Sequence, residues 1–413
     1  MTMIRTLRIE GFKSIHSEVI SLGRVNCFIG ENGAGKSNVL EALGVLGAAA
    51  NGVVDDESLL RRGVRAGLPR LYKSSFASER TPAHIGMGVE GQALEEFFAQ
   101  AHVGYRARAP VGYHVTLLNP LGSPEPAWSY KTEVLTDGIA DIVSLGMRNG
   151  TSKLNLNPQA GLAALKLVDL APFNPAAQLM QRLQDYAIYS PNTLTLRGVV
   201  PDAQSRAPVG LNGGLLAEGF EALRKHLGAD PDAVLDEVLE LIDWVADIQT
   251  TSQGGALLST QAPRTKWMLK FTDRHMNRSR NALTAYDASE GALHVIFCAL
   301  LCLLPQAPRL LAIDNLDQAL NPRLLTRLTA RLAGWLRHNS PDRQLLFTAH
   351  NPAVLDGLDL LDPEIRLFAV ERNSCGLTCV RRIDLSAELA ALHTQYPLSR
   401  LWLMGHLGAV PNV

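Results

Sequence analysis

One stretch of the 413-residue chain constrains its backbone more than any other. It reads VNCFIGENGAGKSNVLEALGVL over residues 25–46, so an apolar run is followed by a glycine-rich loop and then by apolar residues at helical spacing. The loop satisfies G-x-x-x-x-G-K-[ST], a motif whose backbone N–H groups close around phosphate oxygens at a strand-to-helix junction. The stretch therefore predicts a phosphate-binding loop between a buried strand and a helix.

Each residue type in this loop suits a nucleoside triphosphate. Glycine lets the backbone approach phosphate oxygens without a Cβ atom in the way, and Lys36 can reach the β- and γ-phosphates. The Ser37 hydroxyl can ligate Mg²⁺, and the following helix points the positive end of its dipole at the anion. The predicted cofactors are therefore ATP and Mg²⁺. The predicted nucleotide-binding residues of the loop are Gly30, Asn32, Gly33, Ala34, Gly35, Lys36, Ser37 and Asn38.

Two further residues stand where predicted strands end. Asp314 follows the apolar run RLLAI, and a carboxylate at that point can hold Mg²⁺ through water. His350 follows QLLFTA, and a histidine there can bond a γ-phosphate or the attacking water. The alternative for each is an ordinary turn or loop residue. The phosphate loop favours the metal role for Asp314, whereas the alternative stays open for His350.

The residue pattern divides the chain into three parts. Antiparallel strands and the phosphate loop predict an N-terminal lobe over residues 1–135, and strands alternate with helices again over residues 261–413. The middle part, residues 136–260, is dominated by helical spacing and predicts an insertion. The fold class expected is therefore α/β.

Five segments resemble, in family order, the ABC-type ATPase heads of the SMC and RecF group. The likeness is greatest to the OLD-like (overcoming lysogenisation defect) ATPases of bacterial defence operons. It covers residues 1–50 and 266–372, and it implies a P-loop ATPase head with a mixed sheet core, an antiparallel subsheet and a helical insertion. The segments are IRTLRIEGFKSI (first strand and turn), GENGAGKSN (Walker A), DASEGALHVIFCALL (ABC signature), LLAIDNLDQALNP (Walker B and D-loop) and FTAHNPAVL (switch histidine).

The resemblance also implies self-association. In such heads two subunits dock head-to-tail, and the signature helix of one presents its N-terminus to the γ-phosphate held by the other. The residues implied in that contact are Ser289, Glu290 and Gly291. An ordinary helix N-cap at Ser289 is compatible with this role, because the same geometry serves both. Assemblies larger than a dimer stay open.

Two functions fit this resemblance. Many OLD-like proteins carry a TOPRIM nuclease domain after the ATPase, and none is expected here because the chain ends at Val413, soon after the last predicted hairpin. That favours an ATP-dependent sensor or scaffold that works with a separate effector, such as a nuclease, in anti-phage defence. The alternative is a RecF- or SMC-like ATPase of DNA repair or maintenance, so DNA stays open as a partner.

The chain departs from the family pattern in its catalytic residues. The residue after the Walker B Asp is normally a Glu that orients the attacking water, and here it is Asn315. Because an amide cannot accept a proton as a carboxylate can, we expect slow hydrolysis. Asp317 is a candidate substitute, and a D-loop contact across the dimer is its equal rival. Neither Gln92 nor Gln100 makes a convincing Q-loop glutamine.

Composition limits the partners and the cellular compartment that are expected for this chain. The formal charge of −1 and pI of about 6.8 exclude a global basic field for nucleic acid, although a local groove is not excluded. The five cysteines are predicted to be buried core thiols, and so few of them fits a reducing cytoplasm. The longest apolar run, residues 292–304, is too short to span a membrane. Two groups of arginines are predicted to be mainly solvated: Arg61, Arg62, Arg65 and Arg70, and Arg323, Arg327 and Arg331.

Overall fold

The computed structural model describes residues 2–77, 79–93, 110–146, 157–228, 232–252, 257–259, 262 and 265–409. The strands are β1 (Thr2–Phe12), β2 (Ile15–Ser21), β3 (Val25–Ile29), β4 (Ile85–Ala93), β5 (Val111–Leu118), β6 (Ser129–Thr136), β7 (Asp141–Leu145), β8 (Ala187–Tyr189), β9 (Val245–Thr251), β10 (Met268–Asp273), β11 (Ala282–Thr284), β12 (Leu310–Ile313), β13 (Gln344–Ala349), β14 (Ile365–Arg372) and β15 (Thr378–Ile383). The helices are α1 (Lys36–Ala50), α2 (Asp56–Leu60), α3 (Leu162–Lys166), α4 (Pro175–Gln184), α5 (Thr193–Leu196), α6 (Leu216–Leu227), α7 (Asp232–Leu239), α8 (Glu290–Leu303), α9 (Pro322–Asn339), α10 (Ala387–His393) and α11 (Leu398–Leu403), with 3₁₀ turns at Pro69–Leu71, Leu167–Asp169 and Pro352–Gly357.

A mixed six-stranded sheet forms the centre of the molecule, in the order β15-β14-β3-β13-β12-β8. All of its neighbouring pairs are parallel except β14 with β15, which form a hairpin. Strands β3, β12 and β13 are buried along their whole length, as expected for strands covered on both faces. Because β3, β13 and β12 are adjacent and parallel, the loops after them meet at one edge of the sheet.

A second six-stranded sheet is antiparallel, in the order β2-β1-β4-β5-β6-β7. Helix α1 lies between it and the central sheet, and the helix is buried along nearly all of its length. Its small residues, such as Gly44 and Gly47, let neighbouring groups approach, since a Cβ on Gly47 would lie 2.5 Å from the Leu183 carbonyl oxygen. The antiparallel subsheet and the P-loop helix therefore share one core.

Helices α8 and α9 cover the other face of the central sheet, together with α6. Helix α8 is apolar all round and fully buried after its first turn. Helix α9 is amphipathic and begins as its sequence predicts, with the Asn321 side chain accepting from the Leu324 N–H at 2.9 Å and Pro322 at the first helical position. A three-stranded sheet, β11-β10-β9, packs at the edge of this core.

The described part of residues 136–260 is mixed rather than uniformly helical. It includes β7, β8 and β9, and β8 is an edge strand of the central sheet, paired in parallel with β12. Helical spacing in this part extends through the run WVADI, residues 244–248, and predicts a helix there. This prediction is wrong, because helix α7 ends at Leu239 and β9 begins at Val245. β-Branched residues and a partner strand decided that segment, not its local helical spacing.

Two side-chain predictions also change. Cys27, Cys298 and Cys302 are buried as expected, but Cys379 is only partly buried and Cys375 is exposed in the turn of the last hairpin. The arginines of α9 are not simply solvated: the Arg331 guanidinium forms a salt bridge with Glu240 at 2.8 Å, and Arg327 donates to the Glu240 carbonyl oxygen at 2.6 Å. None of the described helices is long and apolar enough to cross a membrane.

Candidate functional site

Three loops converge at the carboxyl edge of the central sheet. The glycine-rich loop follows β3, the segment beginning at Asp314 follows β12, and His350 follows β13. Strand β13 pairs with both β3 and β12, so His350 lies between the other two segments. The residues that the sequence singled out near positions 30, 314 and 350 are therefore neighbours in space.

The glycines of the loop have backbone conformations that other residues rarely adopt. Gly30, Gly33 and Gly35 have φ angles of 149°, 79° and 112°. A Cβ on Gly30 would lie 2.0 Å from the Val370 carbonyl oxygen, whereas a Cβ on Gly33 would meet nothing within 4 Å. Gly30 is thus required by packing against β14, while Gly33 is exposed with Asn32 at the apex of the loop.

Lys36 lies beneath this loop. Its side chain is 4% exposed, and its Nζ donates to the carbonyl oxygens of Gly30 and Glu31, both at 2.8 Å. Burial lowers the pKa of Lys36 to about 8, against the opposing effect of Asp314 and Asp317. The ammonium group therefore lies inside the curve of the loop, where a phosphate oxygen would meet it.

Ser37 and Asp314 are in direct contact. The Ser37 hydroxyl lies 3.0 Å from each oxygen of the Asp314 carboxylate, and the Thr348 hydroxyl donates to Asp314 Oδ1 at 2.6 Å. A hydroxyl and one carboxylate are the hard oxygen donors that Mg²⁺ takes when nucleotide phosphates and water complete its shell. Among the described residues no group of three or more His, Cys, Asp or Glu could hold a metal by itself. The donor set therefore fits Mg²⁺ shared with a phosphate ligand.

His350 connects the lysine to Asn315. Its Nδ1 lies 3.2 Å from Lys36 Nζ, and its Nε2 lies 3.1 Å from Asn315 Oδ1. A lysine ammonium can only donate, so Nδ1 accepts and Nε2–H donates to the Asn315 amide oxygen. Burial, followed by the Lys36 charge, lowers the pKa of His350, which favours this neutral form. The Asn315 side chain thus fills an acceptor position that a carboxylate could also fill.

The backbone of Asn315 is itself unusual. Its φ is 55°, in the left-handed region, and its N–H donates to the Thr348 hydroxyl at 2.8 Å. Asn and Asp occupy this region far more readily than longer side chains. The local backbone therefore suits the residue that is present.

Asp317 contacts the switch segment rather than the open site. Its Oδ2 accepts from the backbone N–H groups of His350 at 2.9 Å and Asn351 at 2.7 Å. Its Oδ1 is buried and has no hydrogen-bond partner within the described residues. The carboxylate fixes the loop that carries His350, a contact that sequence spacing did not predict.

The signature residues make their own contacts at the start of α8. Ser289 caps α8, its hydroxyl accepting from the Ala292 N–H at 3.3 Å, and the Glu290 carboxylate accepts a hydrogen bond from the Thr193 hydroxyl. Gly291 packs beside Leu324 of α9. Within the described residues no hydrogen bond joins Ser289, Glu290 or Gly291 to the phosphate loop.

Three residues that sequence reasoning missed hold the phosphate loop from outside. Thr378 Oγ1 donates to the Ala34 carbonyl oxygen at 2.6 Å, and Arg372 Nε donates to that of Gly33 at 2.8 Å. The Asn38 side chain donates to the Ser14 hydroxyl at 2.7 Å. Only Ser14 had a sequence signal, since it lies in the GFKSI turn. The other two lie on β14 and β15, which come next to the loop because β14 pairs with β3 and with β15, and spacing does not reveal this pairing.

Two segments of the chain match known family models. Residues 3–61 match the family described as "AAA ATPase domain", and residues 229–356 match the one described as "AAA domain, putative AbiEii toxin, Type IV TA system". No curated protein matches the chain. The matched segment 3–61 carries the phosphate loop, and the matched segment 229–356 carries the Asp314–His350 region.

Solved structures provide a comparison of the fold. A structure described as the SmcHead bound to the C-winged helix domain of ScpA is 14% identical, covers 94% of this chain and 99% of that chain, and has a TM-score of 0.52. The Smc head domain with an extended coiled coil bound to the C-terminal domain of ScpA, from Pyrococcus furiosus, is 10% identical, covers 96% and 100%, and has a TM-score of 0.53. The chain therefore has the mixed α/β fold of SMC ATPase heads. The two segments that match AAA-type domain models lie on this fold.

Proposed function

We propose that this ATPase binds ATP tightly, hydrolyses it slowly, and acts as a sensor or scaffold for a separate effector, such as a nuclease, in bacterial anti-phage defence. One observation carries the proposal of slow turnover: the acceptor facing His350 Nε2 is the amide oxygen of Asn315. The same proposal includes three further points. The protein is OLD-like, it is cytoplasmic, and its chain divides into an N-terminal lobe (1–135), an insertion (136–260) and a C-terminal lobe (261–413).

The chain's own residues have distinct parts in this proposal. Lys36 and the loop N–H groups bind the phosphates, and the N-terminus of α1 adds its dipole. Ser37 and Asp314 would hold Mg²⁺, which supplies positive charge next to the phosphate oxygens. Neutral His350, held by Lys36 and Asn315, positions the attacking water. The Asn315 amide can orient a donor but cannot remove a proton, so the proton must leave by a less efficient route.

The test of slow turnover is steady-state phosphate release. Asn315→Asp is the matched change, because Asp has nearly the shape of Asn and tolerates the same left-handed backbone. If the missing base limits hydrolysis, Asn315→Asp or Asn315→Glu should raise kcat by ~10²-fold or more. Both variants should exceed the wild-type kcat, and the gain should be larger for Asp than for Glu, because a longer side chain is strained at this φ. Fast wild-type turnover that neither variant changes would refute the proposal.

Self-association is the second part of the proposal. The signature residues have no partner phosphate within one chain, so a head-to-tail dimer with ATP at its interface supplies one. Ser289→Arg should block this dimer without weakening ATP binding by the monomer, and Ala391→Arg, at an exposed site on α10, provides the control. Light scattering with ATP bound measures both. Assembly of Ser289→Arg equal to that of the control would contradict the trans contact.

The description of the family matched at residues 229–356 supports an effector-linked role, since it names a toxin of a toxin–antitoxin system. Such systems pair one polypeptide with another. The expected result is that a specific protein co-purifies with the tagged chain when ATP is held bound, and fails to do so with Lys36→Ala. Equal recovery with both proteins would argue against ATP-dependent recruitment.

The fold of SMC heads favours one second candidate, a DNA-binding ATPase of repair or maintenance. In that case duplex DNA should bind only with ATP present, and affinity should fall steeply as salt rises. Absence of ATP-dependent duplex binding at low salt would remove this candidate and leave the effector-linked one.

A further inference from the structure

A polar cavity of about 430 Å³ lies at the end of α1 opposite the phosphate loop. It is lined by residues from the end of α1, from α2, from the end of α4 and from the loop 204–206. Helix α1 has 15 residues, so at 1.5 Å per residue the cavity lies roughly 20 Å from Lys36. It is therefore separate from the candidate nucleotide site.

Three arginines line this cavity: Arg61, Arg62 and Arg206. Arg62 is only 5% exposed. Burial lowers the pKa of Arg62 to about 10, and the nearby charges of Arg206 and Arg61 lower it further rather than compensating. Among the described lining residues Asp185 is the one acid, and burial raises its pKa and so disfavours its charge. The positive charge of the three arginines is therefore only partly neutralised by the groups that line the cavity.

The hydrogen bonds of these arginines fix their positions without cancelling that charge. The Arg62 guanidinium donates to the carbonyl oxygens of Ser58 at 2.9 Å and Gln184 at 3.1 Å. The Arg206 guanidinium donates to those of Arg61 at 2.9 Å and Asp185 at 2.6 Å. All four acceptors are neutral backbone groups. Arg62 Nε has no partner within the described residues, and the exposed Arg61 side chain makes no hydrogen bond there.

We propose that this cavity is a second ligand site, which binds a phosphorylated small molecule through Arg61 and Arg206. Guanidinium groups pair strongly with phosphate oxygens. The volume falls within the usual range for small-molecule sites, and a concave pocket with a buried arginine does not fit the convex backbone of a duplex. Amide and hydroxyl side chains of Asn51, Gln204 and Ser205 remain to contact the rest of the ligand.

The site also explains the basic segment after α2, which the ATPase site does not use. Arg65 pairs with buried Glu41 at 2.6 Å, so it serves the core of α1. Arg61 and Arg62 instead face the cavity, and Arg70 lies outside it. The segment thus provides a test residue and a control: Arg61 lies at the cavity, and exposed Arg70 lies away from it.

The experiment is calorimetric titration of full-length Lys36→Ala protein, in which the phosphate-loop lysine is absent. The probes are inorganic phosphate, ribose 5-phosphate and AMP. At least one organic phosphate should bind more tightly than inorganic phosphate. Arg61→Gln, added to Lys36→Ala, should weaken that binding roughly 10- to 150-fold, the loss expected for one charge-assisted hydrogen bond. Arg70→Gln should leave it unchanged.

Arg206→Gln provides a second variant, with thermal denaturation to establish that it folds. Weakened binding in both Arg61→Gln and Arg206→Gln, but not in Arg70→Gln, supports the site. Absence of binding by all three probes at millimolar concentration would overturn it. So would equal affinity for the three probes, because only the phosphate would then be recognised, or binding that neither cavity variant changes.

Discussion

His294 should make the fold sensitive to acid. It lies on α8, in the turn that follows the signature residues, and it is fully buried with both ring nitrogens lacking a hydrogen-bond partner among the described residues. Burial lowers the pKa of His294 from 6.5 to about 4, and the charge of Asp317 acts in the opposite direction. The ring is therefore neutral in the folded state at pH 7.

The size of the effect follows from linkage. The unfolded chain binds this proton below pH 6.5, whereas the folded chain binds it only near pH 4. Titration of His294 therefore does not reduce the free energy of unfolding above pH 6.5, and it reduces it progressively as the pH falls below 6.5. Between pH 7.5 and pH 4.5 the loss should be about 2.5 kcal/mol. Urea denaturation at the two pH values gives the free energy of unfolding. The measured quantity is the difference between the wild-type and His294→Leu proteins.

His294→Leu should remove this loss and stabilise the protein at pH 7.5 by ~1 kcal/mol, because two unpaired ring nitrogens leave the core. His338→Leu, at an exposed helical site, is the control and should retain the wild-type loss. Other groups titrate in this range, but they are common to all three proteins. A His294→Leu protein that loses as much stability as wild type between the two pH values would refute the reasoning.

Two further predictions concern the core. Arg343 is 3% exposed and donates to five carbonyl oxygens at and beyond the end of α8. Arg343→Met should therefore lower the free energy of unfolding, measured by urea denaturation, by roughly 3–5 kcal/mol. Arg337→Met, at an exposed arginine, should lower it by ~1 kcal/mol or less. Gly30→Ala places a Cβ against the Val370 carbonyl oxygen and should cost ~3 kcal/mol or more, whereas Gly33→Ala should cost ~1–2 kcal/mol from its φ alone; equal losses would contradict the packing argument.

The phosphate loop and the strand ends were predictable because their signals are local. A motif of eight residues fixes the turn, and an apolar run followed by Asp314 or His350 fixes where each side chain lies along its strand. Parallel pairing of β3, β13 and β12 then brings the phosphate loop, Asp314 and His350 together at one edge of the sheet. The fold class and the content of the site therefore follow from short segments taken in order.

The contacts that tune the site were not predictable in this way. Thr348 receives the Asn315 N–H and donates to Asp314, and Arg372 holds the loop from a strand more than 300 residues away. Such contacts depend on sheet order, which no spacing rule specifies. Strand β8 was missed for the same reason, since only three residues pair and their partner is β12.

Asp317 can be assigned by one discriminating substitution. Its Oδ2 holds the N–H groups of His350 and Asn351, so Asp317→Ala should slow hydrolysis by releasing His350 whether or not the carboxylate takes a proton. Asp317→Asn separates the two roles, because an amide oxygen can still accept those N–H groups but cannot act as a base. If positioning is the role, kcat of Asp317→Asn should stay within about threefold of wild type, while Asp317→Ala falls by ~10-fold or more. If the two variants lose turnover equally, Asp317 replaces the missing glutamate, and the geometry around His350 is secondary.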